Sequence, residues 1–352
     1  MTANDGPVGH GPRRTPTIYD IANELGISPS TVSRALNKPG RVNAYTEHQI
    51  RETAARLGYR SNPMARALPT GRSRMLGLVV SDVTNPVFFR LVRGAEKACS
   101  ELGYTLVLAE SQESEAQEHG TLDRLLPVVD GIVLAAPRLD DHEIAEVAAA
   151  KNVVLINRKV GDLPAIVPDV EKGVADAIAH LARLGHSSLA YLAGPGQSWM
   201  SRTRGEALFE HAIASGLSFA EISSNAPTKE GGEAALRRVL ASHATAVIAY
   251  NDLMAIGLLR ACRAEEILVP EELSIVGFDD IFGADLTTPA LTTIRSPLDL
   301  AGAAAVHHLV SALEGRAPDL PESLLTEFVE RESTLEPAVR PSGGRERVRE
   351  VR

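Results

Sequence analysis

The chain has 352 residues, 44% of them hydrophobic, 23% charged and only 4% aromatic, with a formal net charge of −9. That length is enough for more than one domain, and its cores must be built from Ala, Val, Ile and Leu more than from rings. No apolar run approaches a membrane span, residues 1–15 lack the apolar core of a secretory signal, and Cys99 and Cys262 have neither disulfide nor zinc spacing, so a soluble cytoplasmic protein is expected.

The charge is divided unevenly. Residues 1–74 carry 11 Arg and Lys against 5 Asp and Glu, and the remainder carries 25 against 40. A basic head on an acidic body points to a polyanion partner for the head alone. Residues 1–15, polar and rich in Gly and Pro, read as a disordered tail.

Residues 16–61 read as three short helices. In the first, Thr17 can act as cap, and Ile18, Ile21, Ala22 and Leu25 repeat at helical spacing. Gly26 suits a left-handed turn, after which Ser28 can cap a second helix with Pro29 in its first position. Val32, Ala35 and Leu36 then point inward and leave Ser30, Thr31, Ser33 and Arg34 outside. This pattern predicts a helix-turn-helix whose second helix offers hydrogen-bonding groups to a DNA major groove. A third helix over 44–57 supplies Ile50, Ala54 and Leu57, and Tyr59 closes the bundle. Residues 62–74 follow as a short helix and linker, with Asn62 as cap, Pro63 as first residue and Pro69 as a stop.

From Leu76 the pattern changes to apolar strands alternating with helices. The strands are 76–80, 104–108, 132–135, 153–156, 189–192, 246–249, 273–276, 292–294 and one near 324–329. Helices are expected over 87–102 and near 171–184, 203–215 and 298–313. Such alternation predicts parallel sheets covered by helices, here two doubly wound lobes within a body of residues 75–336. Residues 337–352, rich in Pro, Gly, Arg and Glu, read as a second disordered tail with no leucine heptad for a coiled coil.

The order of these parts resembles the lac repressor/gal repressor family of bacterial transcription regulators. The motifs that carry the resemblance are Thr31-Val-Ser-Arg-Ala-Leu-Asn37, Ala65-Arg-Ala-Leu68, Asn85-Pro-Val-Phe-Phe89 and Asp130-Gly-Ile-Val133. Asn251-Asp-Leu-Met-Ala255, Val276-Gly-Phe-Asp-Asp280, Leu291-Thr-Thr-Ile294 and Arg331-Glu-Ser-Thr334 continue it, in register from about Thr17 to Thr334. The resemblance implies a helix-turn-helix headpiece, a hinge helix and a body like periplasmic sugar-binding proteins. In that body the chain crosses between lobes three times. The N-lobe is then expected over about 75–157 and 296–322, the C-lobe over about 158–295 and 323–336. It also implies a homodimer on palindromic operator DNA, acting as a repressor.

By that resemblance Pro29, Ser30 and Arg34 align with positions that contact base edges. Arg34 can donate two bonds to guanine, whereas Pro29 offers only apolar contact and departs from the family pattern. Thr17, Ser28, Thr31, Ser33 and Asn37 are expected on the DNA backbone, which positions without specifying. Ala65 and Leu68 fall at the minor-groove hinge, Leu68 as an apolar wedge between base pairs, with Pro69 a departure beside it.

Ligands of open α/β folds lie beyond the carboxyl ends of strands. Asn85, Phe88, Asn157, Arg158, Trp199, Arg204, Asn251 and Asp279 follow such ends, Trp199 in a loop, and the resemblance implies that they converge on one cleft. Carboxylate, guanidinium and amide groups match vicinal hydroxyls, and Phe88 and Trp199 can stack on a sugar ring. A second reading makes Asn251 and Asp279 only helix caps and Phe88 only core. A nucleobase or nucleoside is the alternative effector to a sugar.

Two other classes share the scaffold. An enzyme is disfavoured because Trp199 stands where Gly194-Pro-Gly196 would need its third glycine, and no Walker lysine appears. No catalytic triad or metal-ligand spacing emerges either, and adjacent His307 and His308 face differently on a helix. No cofactor and no metal are therefore expected. A transported-solute receptor would share the lobes but would need a secretory signal and no headpiece.

Overall fold

The computed structural model describes residues 16–37, 40–59, 72–224, 226–317 and 323–338. The expected tails and most of the expected hinge, including Ala65, Leu68 and Pro69, lie outside them. The chain divides into two units, Met1–Ser73 and Arg74–Arg352.

The first unit holds α1 (Ile18–Leu25), α2 (Pro29–Asn37) and α3 (Ala44–Leu57). At the start of α1 the Thr17 amide and hydroxyl both donate to the Asp20 carboxylate, at 2.6 and 2.7 Å. Gly26 ends the helix at φ 63°, and its N–H returns to the Ala22 carbonyl. Ser28 Oγ accepts from the Thr31 amide at 3.2 Å, so α2 is capped as the sequence indicates. Ile21, Ala22, Val32, Ala35, Ile50 and Ala54 form the buried core, with Ile18, Leu25, Leu36, Leu57 and Tyr59 packed around it.

In the second unit, the N-lobe sheet contains β1 (Met75–Val80), β2 (Thr105–Glu110), β3 (Gly131–Ala135), β4 (Asn152–Ile156) and β5 (Ala165–Ile166). Its order is β2-β1-β3-β4-β5, all parallel, with Leu78 opposite Leu108 on one side and Val133 on the other. Helices α4 (Val87–Glu101), α5 (Glu115–Leu125) and α6 (Asp141–Ala150) connect these strands.

The C-lobe follows with α7 (Glu171–Arg183), β6 (Ser188–Leu192), α8 (Trp199–Ala214), β7 (Ser218–Ile222), α9 (Lys229–Ala241), β8 (Ala246–Ala249), α10 (Asp252–Ala264) and β9 (Ser274–Asp279). Next come β10 (Thr292–Arg295), α11 (Leu298–Leu313) and β11 (Glu327–Val329). The second sheet runs β11-β10-β9-β8-β6-β7, parallel except for β11. The central strands of both sheets are buried on two faces, which is why they read as continuous apolar runs, while the edge strands β2 and β7 are partly exposed.

Helix α11 returns to the N-lobe. Leu298, Ala301, Ala305, Val306, Leu309 and Val310 share a core with Leu76, Leu78, Leu91 and Val154. Its approach to α4 is close because both helices carry glycine there. A Cβ on Gly94 would lie 1.9 Å from the Asp299 carbonyl oxygen, and one on Gly302 would lie 2.3 Å from that of Leu91.

The lobe boundaries differ from expectation at two points. The N-lobe does not end at 157, because β5 adds to β4 and Val160 and Ile166 pack into N-lobe cores. Nor does the C-lobe resume at 323, because Leu324 still belongs to the N-lobe core. The first and last crossings run side by side, with the Asp169 amide donating to the Leu324 carbonyl at 2.8 Å and the Thr326 amide to that of Asp169 at 3.0 Å. Helix α8 also begins four residues before its expected start, so Trp199 is its first residue and not part of a loop. Ser198 is the reason, since its hydroxyl accepts from the Ser201 amide at 3.2 Å and starts the helix there.

Candidate functional site

The headpiece presents one polar face. On α2, Val32 and Ala35 are buried, Ser30 and Arg34 are exposed, and Pro29, Thr31 and Ser33 are half-buried. Ser28 Oγ lies 2.9 Å from Ser30 Oγ and 2.8 Å from Thr31 Oγ1, so three hydroxyls cluster at the helix start. Amides at a helix start, with hydroxyls beside them, suit a phosphate oxygen. Asn37 is the last residue of α2.

The body carries a second candidate site between the lobes. A cavity of about 40 Å³ is lined from the N-lobe by Ser81, Asn85, Phe88, Glu113, Arg138 and Asn157, and from the C-lobe by Met200, Arg204, Pro227, Tyr250, Asn251 and Asp279. These residues lie at or beyond the carboxyl ends of β1, β2, β3, β4, β6, β7, β8 and β9, where an open α/β sheet exposes its loops. Ala136, Asn157 and Asp279 hold left-handed backbone there, at φ 53°, 60° and 104°. Such conformations are costly for non-glycine residues and concentrate where a site dictates side-chain aim.

The C-lobe wall centres on Arg204, one turn into α8. Its Nη2 donates to Asp279 Oδ1 at 2.7 Å and its Nη1 donates to the Tyr250 carbonyl. The guanidinium carbon also lies 3.7 Å from the Phe278 ring centre and 5.1 Å from that of Tyr250. Burial works against the charge, but Asp279, Tyr250 and Tyr191 together outweigh it and raise the Arg204 pKa. Arg204 Nε, also buried, has no partner among the described residues.

The N-lobe wall centres on Arg138. Its Nε donates to Glu113 Oε2 at 2.6 Å and its Nη1 to the Ala136 carbonyl at 3.0 Å. Its own amide is held by the buried carboxylate of Glu118 at 2.7 Å. Burial raises the pKa of Glu118, against the pull of Arg138.

Six of the eight effector candidates read from the sequence line this cavity: Asn85, Phe88, Asn157, Arg204, Asn251 and Asp279. Phe88 is at once core and lining, with 6% of its surface exposed. Asn251 does cap α10, since its Oδ1 accepts from the Met254 amide and its Nδ2 donates to the Pro227 carbonyl, both at 2.9 Å. Asp279 caps no helix and pairs with Arg204.

Two candidates do not line the cavity. Arg158 is turned to the loop after β3, where it donates to the carbonyls of Pro137 and Leu139 and to Asp141. Trp199 packs against the C-lobe core as the first residue of α8. The sequence reading missed Glu113, Arg138 and Tyr250, although each follows a strand end and the same rule reaches them.

Residues 17–62 match the family described as bacterial regulatory proteins of the lacI family, and residues 178–334 match the periplasmic binding protein-like domain. The chain is 34% identical over 292 residues to the transcriptional regulator GalS of Salmonella typhimurium, covering 80% of this chain and 85% of that one. It therefore belongs to the lacI family of transcriptional regulators, and is a regulator and not an enzyme. Its fold is similar to the lac repressor dimer bound to operator and an anti-inducer, with a TM-score of 0.82, 27% identity and coverage of 92% of this chain and 100% of that one. A ribose-bound regulator from Enterococcus faecium is also similar, at a TM-score of 0.66, 26% identity and 74% and 99% coverage. Among the described residues no helix is long and apolar enough to cross a membrane.

Proposed function

We propose that this regulator is a repressor that binds a palindromic operator as a homodimer and is controlled by a sugar or sugar derivative in the interlobe cavity. The observation that carries the effector half is the convergence of Asn85, Phe88 and Asn157 from one lobe with Arg204, Asn251 and Asp279 from the other. The unpartnered Arg204 Nε supports it, since a buried donor of this kind calls for an acceptor that the protein does not supply. At about 40 Å³ the cavity has room for little more than a water molecule, so a sugar enters when the lobes part. A ligand that favours one lobe arrangement shifts the equilibrium between arrangements by its differential affinity.

The DNA half rests on the headpiece. Arg34, Ser30 and Pro29 are assigned to base edges, and Thr17, Ser28, Thr31, Ser33 and Asn37 to the backbone. Ala65 and Leu68 are assigned to the minor groove. The lac repressor that this chain resembles is a dimer on operator, and apolar surface supports the same state here. Val83 in the loop before α4, Phe89 on α4 and Leu108 on the edge strand β2 are exposed and line a groove of about 420 Å³, and Phe282 and Leu286 are exposed on the C-lobe. A second copy would cover them.

The test is selection of operator from random duplexes with the full chain, followed by titration with sugars, sugar phosphates and purines. A two-fold symmetric site whose affinity responds to a sugar is the expected result. Binding without sequence preference would remove the DNA half, and a response to purines alone would replace the sugar by the nucleobase reading.

A further inference from the structure

We infer that Glu113 and Arg138 form the N-lobe half of the ligand site, and that the site selects an uncharged polyhydroxylated molecule against anionic sugars. This rests on the reading of the interlobe cavity as the effector site. Four charged side chains line that cavity, Glu113 and Arg138 from one lobe and Arg204 and Asp279 from the other, two of each sign. Each lobe thus contributes a closed ion pair. The Arg138 side chain is held by Glu113 and the Ala136 carbonyl, and both terminal nitrogens of Arg204 by Asp279 and the Tyr250 carbonyl, which leaves Arg204 Nε as the one donor the protein does not pair among these contacts. Among the described residues no surplus cation lines the cavity to meet a phosphate or a carboxylate.

The unused atoms point the same way. Both Arg138 contacts with Glu113 fall on Oε2, and the Arg204 and Ser296 contacts with Asp279 fall on Oδ1. Those contacts leave the second oxygen of each carboxylate, Glu113 Oε1 and Asp279 Oδ2, outside the two arginine pairs. These are acceptors and want donors. A sugar hydroxyl donates to such an oxygen and can accept from a neighbouring guanidinium N–H. An anionic oxygen cannot donate, and it would be held beside two carboxylates among largely buried side chains, where an unpaired charge is costly. The two pairs lie on opposite lobes, so one polyol with hydroxyls at both ends would tie the lobes together.

The experiment is calorimetry on the full chain with matched neutral and anionic ligands: D-ribose and ribose 5-phosphate, D-glucose and glucose 6-phosphate, D-galactose and D-galacturonate, adenosine and its 5′-monophosphate. In every pair that binds, the neutral member should bind at least about tenfold tighter, because rejection here is built from unpaired charge. Glu113→Gln removes one carboxylate charge and should narrow that ratio to about threefold or less. An anionic member that binds as tightly as its neutral partner overturns the charge inference and leaves the cavity as the effector site. A ratio unchanged in Glu113→Gln removes Glu113 from the selection. Failure of all eight ligands to bind removes the effector reading itself, and this inference with it. The ratio in the parent protein decides the charge question whether or not the variant folds.

Discussion

Asp279 and Asp280 are chain neighbours in left-handed backbone, yet their carboxylates serve different structures. Asp279 pairs with Arg204 at the cavity, while Asp280 receives Arg331 at 2.5 Å, Arg295 at 2.8 Å and, from α4 of the opposite lobe, Arg90 at 3.8 Å. Burial opposes the Asp280 charge, but Arg331 and Arg295 outweigh it and lower its pKa. On the proposed function, a ligand that moved Asp279 would pull on the Asp280–Arg90 ion pair that spans the lobes.

Replacing Arg90 tests that coupling without stranding a buried charge, because Asp280 keeps Arg295 and Arg331. Arg90 is about half exposed, so Arg90→Ala should cost less than about 1 kcal/mol of stability. Ligand affinity should stay within about twofold, whereas the ligand-induced change in operator affinity should shrink, since allosteric coupling energies are only about 1–3 kcal/mol. Operator titrations with and without ligand measure it. A full response in the variant would show that the Asp280–Arg90 contact carries no coupling.

The return of α11 to the N-lobe depends on two glycines. Gly302→Ala would put a methyl group 2.3 Å from the Leu91 carbonyl oxygen, which is backbone and cannot step aside. Overpacking of this kind should destabilise the body by about 1–3 kcal/mol, read as a lower midpoint in urea. Gly196→Ala meets nothing within 4 Å and is the control. Equal midpoints for the two variants would mean that α4 and α11 are not in contact as described.

Much of this fold was legible because its signals are local. Short, mostly apolar runs gave nine of the eleven strands among the described residues, with the edge strands β5 and β7 missed, and strand ends gave six cavity residues. What escaped depends on partners distant in sequence. Arg158 follows a strand end like the others, but the carbonyls of Pro137 and Leu139 capture its guanidinium. Glu113 and Arg138 are separated by two elements, α5 and β3, and nothing in either segment announces the pair. Strand β5 is two residues long, too short for any periodicity, so the crossing it delays could not be placed from the sequence.

Buried Asp252 gives a pH dependence with a definite sign. It has no exposed surface, and its oxygens accept from Thr293 Oγ1 at 2.6 Å and the Ile281 amide at 2.8 Å. Burial, against those bonds and with the like charges of Asp279 and Asp280, pushes its pKa up to about 8. The folded state then holds a proton that the unfolded chain releases near pH 4, so stability falls as pH rises between those values, by about 1.4 kcal/mol per unit. Above the folded pKa the decline stops. Asp252→Asn keeps an acceptor for Ile281 but has no proton to lose. Its stability relative to the parent should therefore grow from pH 5 to pH 8 in urea titrations. Parallel curves would mean that Asp252 is ionised across the range.

Arg34 is the side chain on which base reading should depend most. It is exposed on α2, while Val32 and Ala35 anchor the opposite face in the headpiece core. A guanidinium fork can donate to guanine O6 and N7 together, and no other base pair presents that pattern in the major groove. Arg34→Ala should weaken operator binding by about 1–3 kcal/mol and relax preference at one base pair in each half-site. The residues proposed to face the DNA backbone should behave differently, with Thr17→Ala or Ser28→Ala weakening all duplexes by similar factors. Anisotropy titrations against the operator, single-base variants of it and a random duplex, all at one salt concentration, separate the two cases. If Arg34→Ala weakens the random duplex as much as the operator, Arg34 holds a phosphate, and the base pair it was assigned must be read by another side chain.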